Sequence, residues 1–203
     1  TERLHRVITT ERKNKAPLRE DELALKALSK KELDIHAKGS KVKNMLEQDA
    51  STIVMLAAMV DTMENIRTVT DRLKIYKCGQ LTQDIEKDIE QSLRDMIEAV
   101  RREQREREEQ MQQQQQGQGQ GQQQQQDQPL IQLSAELKML KLLQLRINHR
   151  TERVDGLRKQ LQKKDVDEAC GRLAKRQSRV SELTQDLSAK LKAEQAAGHG
   201  GHG

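Results

Sequence analysis

The sequence predicts an all-α chain: an elongated antiparallel helical hairpin or coiled-coil bundle whose arms are joined by a disordered Gln/Gly-rich loop. Three observations lead there. Phe and Trp are absent, Tyr76 is the only aromatic, and 34% of the residues are charged. Aromatic residues usually supply bulk burial, about 150–250 Å² each, so Leu, Ile, Val, Met and Ala must pack here in narrow seams. Long segments with apolar residues at helical spacing lie on either side of one low-complexity tract. That tract, residues 110–129, is glutamine broken by Gly117, Gly119 and Gly121, with Met111 as its one apolar side chain. It holds too little apolar surface to offset the entropy of ordering.

Residues 1–16 are basic and aperiodic, and are expected to be disordered. Residues 17–39 read as short N-terminal helices. Pro17 suits a first helical position, and Glu20, Asp21 and Glu22 follow where the helix dipole favours acids. Leu18, Ala24, Leu25 and Leu28 share a face, and Ser29 with Glu32 has capping-box spacing, so a second short helix would start there and end at Gly39.

Residues 40–110 form the first, acidic arm. Leu56, Met59, Met63, Ile66, Thr70 and Leu73 alternate spacings of three and four, a heptad seam with one polar member. Residues 53–60 are apolar on every face of a helix, which asks for neighbours on more than one side. Ile53, Leu56, Met59, Val60 and Met63 therefore read as a packing surface for the N-terminal helices or as a docking surface for a partner. A break near residues 78–81 is marked by Cys78-Gly79, after which Thr82 reads as a hydroxyl cap ahead of Asp84 and Glu86. Ile85, Ile89, Leu93, Met96 or Ile97, and Val100 continue the stripe. Residues 101–109 alternate in charge, and i,i+4 ion pairs of ~0.2–0.5 kcal/mol each can carry the helix to the linker, residues 111–129.

Residues 130–197 form the second, basic arm. Leu133, Leu140, Ile147, Val154 and Leu161 recur every seven residues, and Leu137, Leu143 and Leu157 widen that face. Val166, Leu173, Val180 and Leu187 resume the beat after a shift of five near Lys163. Residues 198–203 are a Gly/His tail, expected to be disordered.

Charge supports the hairpin. Residues 1–43 carry 12 Lys and Arg against 7 Asp and Glu, residues 44–111 carry 10 against 15, and residues 130–203 carry 15 against 9. The arms flanking the glutamine tract are thus opposite in sign, and residues 82–109 are expected to pack antiparallel on residues 130–164. Residues 41–77 would then pair with about 166–197. A long loop adds little to the cost of closure, which grows only logarithmically. The same compensation argues against nucleic acid, whose binders gather positive charge on one uncompensated face.

The chemistry-bearing residues form no catalytic, cofactor or metal signature. His5, His36 and His149 are isolated, and His199 and His202 sit in a Gly-rich end that preorganises nothing. Asn148, Arg150 and Thr151 interrupt the second arm's seam and read as a polar layer setting register, or as a partner contact. Cys78 and Cys170 are too few for a disulfide framework. A hairpin turning near residues 120–122 would leave them one or two turns apart, so a Cys78–Cys170 disulfide stands against two free buried thiols. The longest apolar run, residues 53–60, is far short of the ~18 residues of a membrane span.

The segment Gly79-Gln-Leu-Thr82-Gln83 leads into Ile85-Glu86-x-Asp88-Ile89 and Leu93-x-x-Met96-Ile97-Glu98-Ala99. After the Gly/Gln insert come Pro129-Leu-Ile-x-Leu133-x-Ala135-Glu136-Leu137-Lys138-x-Leu140 and Leu145-Arg146-Ile147-Asn148-x-Arg150-Thr151. In this order the segments, across about residues 45–155, resemble an uncharacterised family of bacterial coiled-coil proteins, exported or envelope-associated. Many of its members carry Asp-x-Gly at the break where this chain has Lys77-Cys78-Gly79. The resemblance implies architecture and an envelope or periplasmic location, and no activity. The function expected is a non-catalytic scaffold or spacer that binds protein partners, or a second copy, through helix faces. The alternative is an electrostatic binder of an anionic polymer or membrane surface through residues 1–43 and the second arm's Arg and Lys.

Overall fold

A computed structural model describes residues 1–6, 18–49, 52–116 and 132–199, and every regular element among them is a helix. The elements are α1 (Glu2–Arg6), α2 (Arg19–Asp49), α3 (Ile53–Lys74), α4 (Gln80–Gln116), α5 (Leu133–Leu157) and α6 (Lys163–His199). The chain is all-α. Most of the glutamine linker, residues 117–129, lies outside the described residues, as do residues 7–17 of the N-terminal stretch and residues 200–203 of the tail.

The helices divide differently from the sequence reading. The two short helices expected over residues 17–39 are one continuous helix, α2, running through both Ser29 and Gly39. The capping box does not form, because the Ser29 hydroxyl donates to the carbonyl of Thr70 at 3.3 Å. A cap does exist at the true start, where the Leu18 N–H donates to the Asp21 carboxylate at 3.0 Å. Gly39 does not end α2. It is buried there, and a Cβ at this position would lie 2.8 Å from the Met59 Cε methyl and 3.4 Å from Met63 Cγ. Residues 1–6 are ordered as α1, with the Thr1 hydroxyl donating to Glu86 Oε1 at 2.5 Å.

The second arm is two helices. The five-residue shift in its heptad coincides with a turn over residues 158–162, after which α6 doubles back on α5, with Gln144 and Gln177 exchanging amide hydrogen bonds of 3.0 Å. Helix α6 therefore packs on α5, a pairing that an uninterrupted second arm excludes. α4 extends past the charged run to Gln116, and α6 takes in Gly198 and His199 of the expected tail.

The chain forms two units: Thr1–Gln48 with Leu56–Arg94, and Asp49–Met55 with Asp95–Gly203. In the first, Leu25, Ile66, Val69, Leu73, Cys78 and Ile89 form the buried core, with Leu4, Leu28, Tyr76, Ile85 and Leu93 packed around it. Seam residues Met59, Met63, Ile66, Thr70 and Leu73 all point inward. Hydroxyls thread this core without stranding a hydrogen bond, since Thr62 donates at 2.8 Å to Ala58 O and contacts Ser92 Oγ at the same distance.

The break between α3 and α4 is a Schellman turn: Lys77 N–H bonds to Arg72 O at 2.8 Å and Tyr76 N–H to Leu73 O at 3.1 Å. The left-handed residue this motif needs is Tyr76, φ 61°, and not Gly79. Thr82 is also not the cap. α4 begins at Gln80, with the N–H groups of Thr82 and Gln83 bonding to Gly79 O. The Thr82 hydroxyl reaches back to Lys77 O at 2.6 Å and accepts from Arg72 Nε at 2.8 Å.

In the second unit Met139, Leu140, Leu143, Ile147 and Val154 of α5 are buried, as are Ala169, Val180, Leu183 and Leu187 of α6. Met96 is the inward residue of the Met96/Ile97 pair, and Ile97 is exposed. Leu137, assigned by spacing to the buried face, is also exposed.

Candidate functional site

The five residues proposed as a packing or docking surface are not solvent-facing. Met59 and Met63 are buried and Ile53, Leu56 and Val60 half-buried, within a run where Val54, Met55, Ala57 and Ala58 are buried too. The absence of a side chain at Gly39 is what lets the two methionines approach α2, and their flexible thioether chains fill the gap.

The polar trio of the second arm separates. Arg150 is buried, whereas Asn148 and Thr151 are exposed. Asn148 Oδ1 accepts from Gln144 Nε2 at 2.9 Å, and the Thr151 hydroxyl satisfies Ile147 O of its own helix at 2.8 Å. A register-setting layer of three is not formed, because only residue 150 of the three faces in.

The cysteines also separate. Both are free thiols, Cys78 buried in the core of the first unit and Cys170 exposed on α6. Burial pushes the Cys78 thiol above its ordinary value. The disulfide is therefore absent, and the expectation of two buried thiols holds only for Cys78.

Polar contacts that lie outside the apolar seams organise the second unit. Glu136 is 1% exposed, and its carboxylate accepts the backbone N–H of Val54 at 2.9 Å. Val54 is the second residue of α3, where N–H groups have no partner inside the helix. A carboxylate there satisfies a donor and meets the positive end of the helix dipole. Arg146 bonds Asp95 with both side chains only 13% exposed, and Glu103 Oε2 accepts the N–H of Gln132 at 3.3 Å, where α5 begins without a side-chain cap of its own. The signal in the sequence is no more than acids on α4 and α5, and spacing along one helix does not identify partners on another.

Other titratable groups are dispersed. Glu32 is held above the ordinary carboxylate value by burial first and by the Glu86 charge second. Asp84 accepts from Gln80, and Glu90 pairs with Arg94 at 2.5 Å, both within α4, while Asp88 is buried. Among the described residues no three His, Cys, Asp or Glu side chains gather as metal ligands, and no helix is long and apolar enough to cross a membrane.

What the folded chain leaves open is a set of helix faces. On α5, Leu137, Leu142 and Leu145 are 41%, 36% and 39% exposed beside exposed Lys138 and Lys141. On α2, Leu23, Val42 and Met45 are exposed among Lys30, Lys31, Lys38 and Lys41. No family model matches the chain, and no curated protein or solved structure is similar to it.

Proposed function

We propose that the chain is a non-catalytic helical scaffold that binds a protein partner or a second copy of itself through helix faces. The observation that carries this reading is the outward face of α5, where three leucines stay exposed on a helix whose opposite face is already packed. Leucines held in solvent at helical spacing suit a further helix. The resemblance to exported bacterial coiled-coil proteins supports the same reading, and with it an envelope location.

Within the second unit, the proposed architecture is an antiparallel hairpin of the latter part of α4 on α5, joined through the glutamine tract. The Asp95–Arg146 pair and the Glu103–Gln132 contact support it, since later residues of α4 meet earlier residues of α5. Carboxyl-to-amine cross-linking of the monomer fraction tests the hairpin. Links from Lys138 or Lys141 to carboxylates between Asp95 and Glu109 are expected, and links found only between molecules would refute it. Pull-down with the chain immobilised through its C-terminus, together with sedimentation at rising concentration, tests the scaffold. A chain that retains nothing and stays monomeric throughout is no scaffold.

A second reading has its own support in α2, whose exposed lysines and apolar residues form a basic amphipathic face. It would bind an anionic polymer or membrane surface. Retention on heparin at low salt, lost as salt rises, is the expected result, and no retention at low salt ends this alternative.

A further inference from the structure

We infer that the outer face of α5 pairs with α5 of a second copy, antiparallel and about a two-fold axis through Leu145; this rests on the scaffold reading and specifies its partner. Residues 138, 141, 145, 148 and 152 alternate spacings of three and four, so they form one stripe. All five are exposed, and the buried residues Met139, Leu143, Ile147, Arg150 and Val154 mark the opposite side of the helix. Leu145 is the centre of the stripe, with Leu142 beside it.

The charges on this stripe are self-complementary in one direction only. A two-fold axis through Leu145 brings together residues equally far before and after it. Lys138, seven residues before, then meets Glu152, seven residues after, and the pair occurs twice. Lys141 meets His149, Leu142 meets Asn148, and Leu145 meets its own copy. Parallel pairing would instead stack Lys138 on Lys138, Lys141 on Lys141 and Glu152 on Glu152. Among the described residues neither Lys138 nor Glu152 is engaged in an ion pair, so both charges are available to a second chain. An unrelated acidic helix would suit the two lysines but would set its own charge against Glu152. A second copy gives both Lys138 and Glu152 an opposite charge at once.

The contact is small, with a leucine centre and charged flanks, so it forms a concentration-dependent dimer and not an obligate one. Charge reversal on the full chain tests it, read by sedimentation equilibrium at low salt and by native mass spectrometry. K138E and E152K each place like charges opposite one another twice, and each is expected to weaken dimerisation about tenfold or more. Because both residues are exposed, helicity and melting temperature should be unchanged. An equimolar mixture of K138E and E152K restores both attractive pairs and should yield a dimer containing one of each. Loss of folding in a single variant cannot produce that recovery.

Three results would overturn the proposal. A wild-type chain that is monomeric at every concentration removes the contact, leaving the scaffold reading to its own partner test. A dimer indifferent to both reversals shows that self-association uses another face. The same indifference to each reversal alone, together with a mixture of K138E and wild type that associates more tightly than either by itself, shows a parallel arrangement, in which residue 138 faces its own copy.

Discussion

The carboxylate of Glu136 lies 2.9 Å from the backbone nitrogen of Val54, so a side chain of α5 serves as the cap for the first turn of α3. A buried charge is tolerated there because a hydrogen bond and the helix dipole both stabilise it. Removing the acceptor leaves a buried N–H unsatisfied. Glu136→Ala should therefore cost about 2–4 kcal/mol in urea unfolding. Glu136→Gln keeps an oxygen acceptor and should cost roughly 1 kcal/mol. Equal losses from the two substitutions would show that packing, and not capping, is what Glu136 supplies.

The cysteines should react unequally. Cys170 is exposed, whereas Cys78 is buried and its thiol is raised by that burial, which reduces the thiolate available for alkylation. One thiol per chain should react with a maleimide or disulfide reagent in buffer, and two in denaturant. Peptide mapping should place the first at Cys170. Fast labelling of Cys78 under native conditions would mean that the core of the first unit opens readily.

Tyr76 separates backbone strain from packing. Its φ of 61° costs a residue with a Cβ about 1 kcal/mol or more relative to glycine, while the residue is half-buried and packs against the core of the first unit. Tyr76→Ala loses packing and keeps the strain, so a loss of about 1–3 kcal/mol is expected. Tyr76→Gly loses the same packing but relieves the strain, and should be about 1 kcal/mol more stable than the alanine variant. The contrast is read from two denaturation curves.

Glu32 sets a pH dependence in the acid range. Its folded-state carboxyl is raised above the ordinary 4.5 by burial and then by Glu86, so the native state holds this proton more tightly than the unfolded chain does. That contribution favours folding fully below about 4.5 and is lost as pH rises through the folded value. Glu32→Gln should raise the melting temperature at pH 7 by about 1–3 °C and have less effect near pH 4. A larger gain at pH 4 than at pH 7 would reverse the sign of this coupling.

Gly171 contributes nothing by being small. A Cβ there would meet no atom within 4 Å, and the residue lies inside α6. Gly171→Ala should stabilise the chain by about 0.5–1 kcal/mol through lower unfolded-state entropy and better helix propensity. Gly39→Leu should do the opposite, because even a Cβ at residue 39 would press on Met59. Thermal melts of the two variants should move in opposite directions.

Helical periodicity is a local property, and the sequence by itself therefore determined that this chain is helical. It also determined which faces turn inward: Leu140, Ile147 and Val154 on α5, and Met59, Met63, Ile66 and Leu73 on α3, are buried where their spacing puts them. The interruption before α4 and the shift before α6 were legible for the same reason, since a break in period shows within a few residues.

Only tertiary structure decided where polar and small residues spend their interactions. Ser29 has capping-box spacing, yet a carbonyl 41 residues away takes its hydrogen bond. Gly39 resembles a helix end, yet methionines of another helix occupy the space beside it. The left-handed position fell on Tyr76 because the Schellman hydrogen bonds fix it by counting from Arg72 and Leu73, whatever residue stands there. Each of these choices is a competition between a neighbour in sequence and a neighbour in space. The second exists only once the helices have packed.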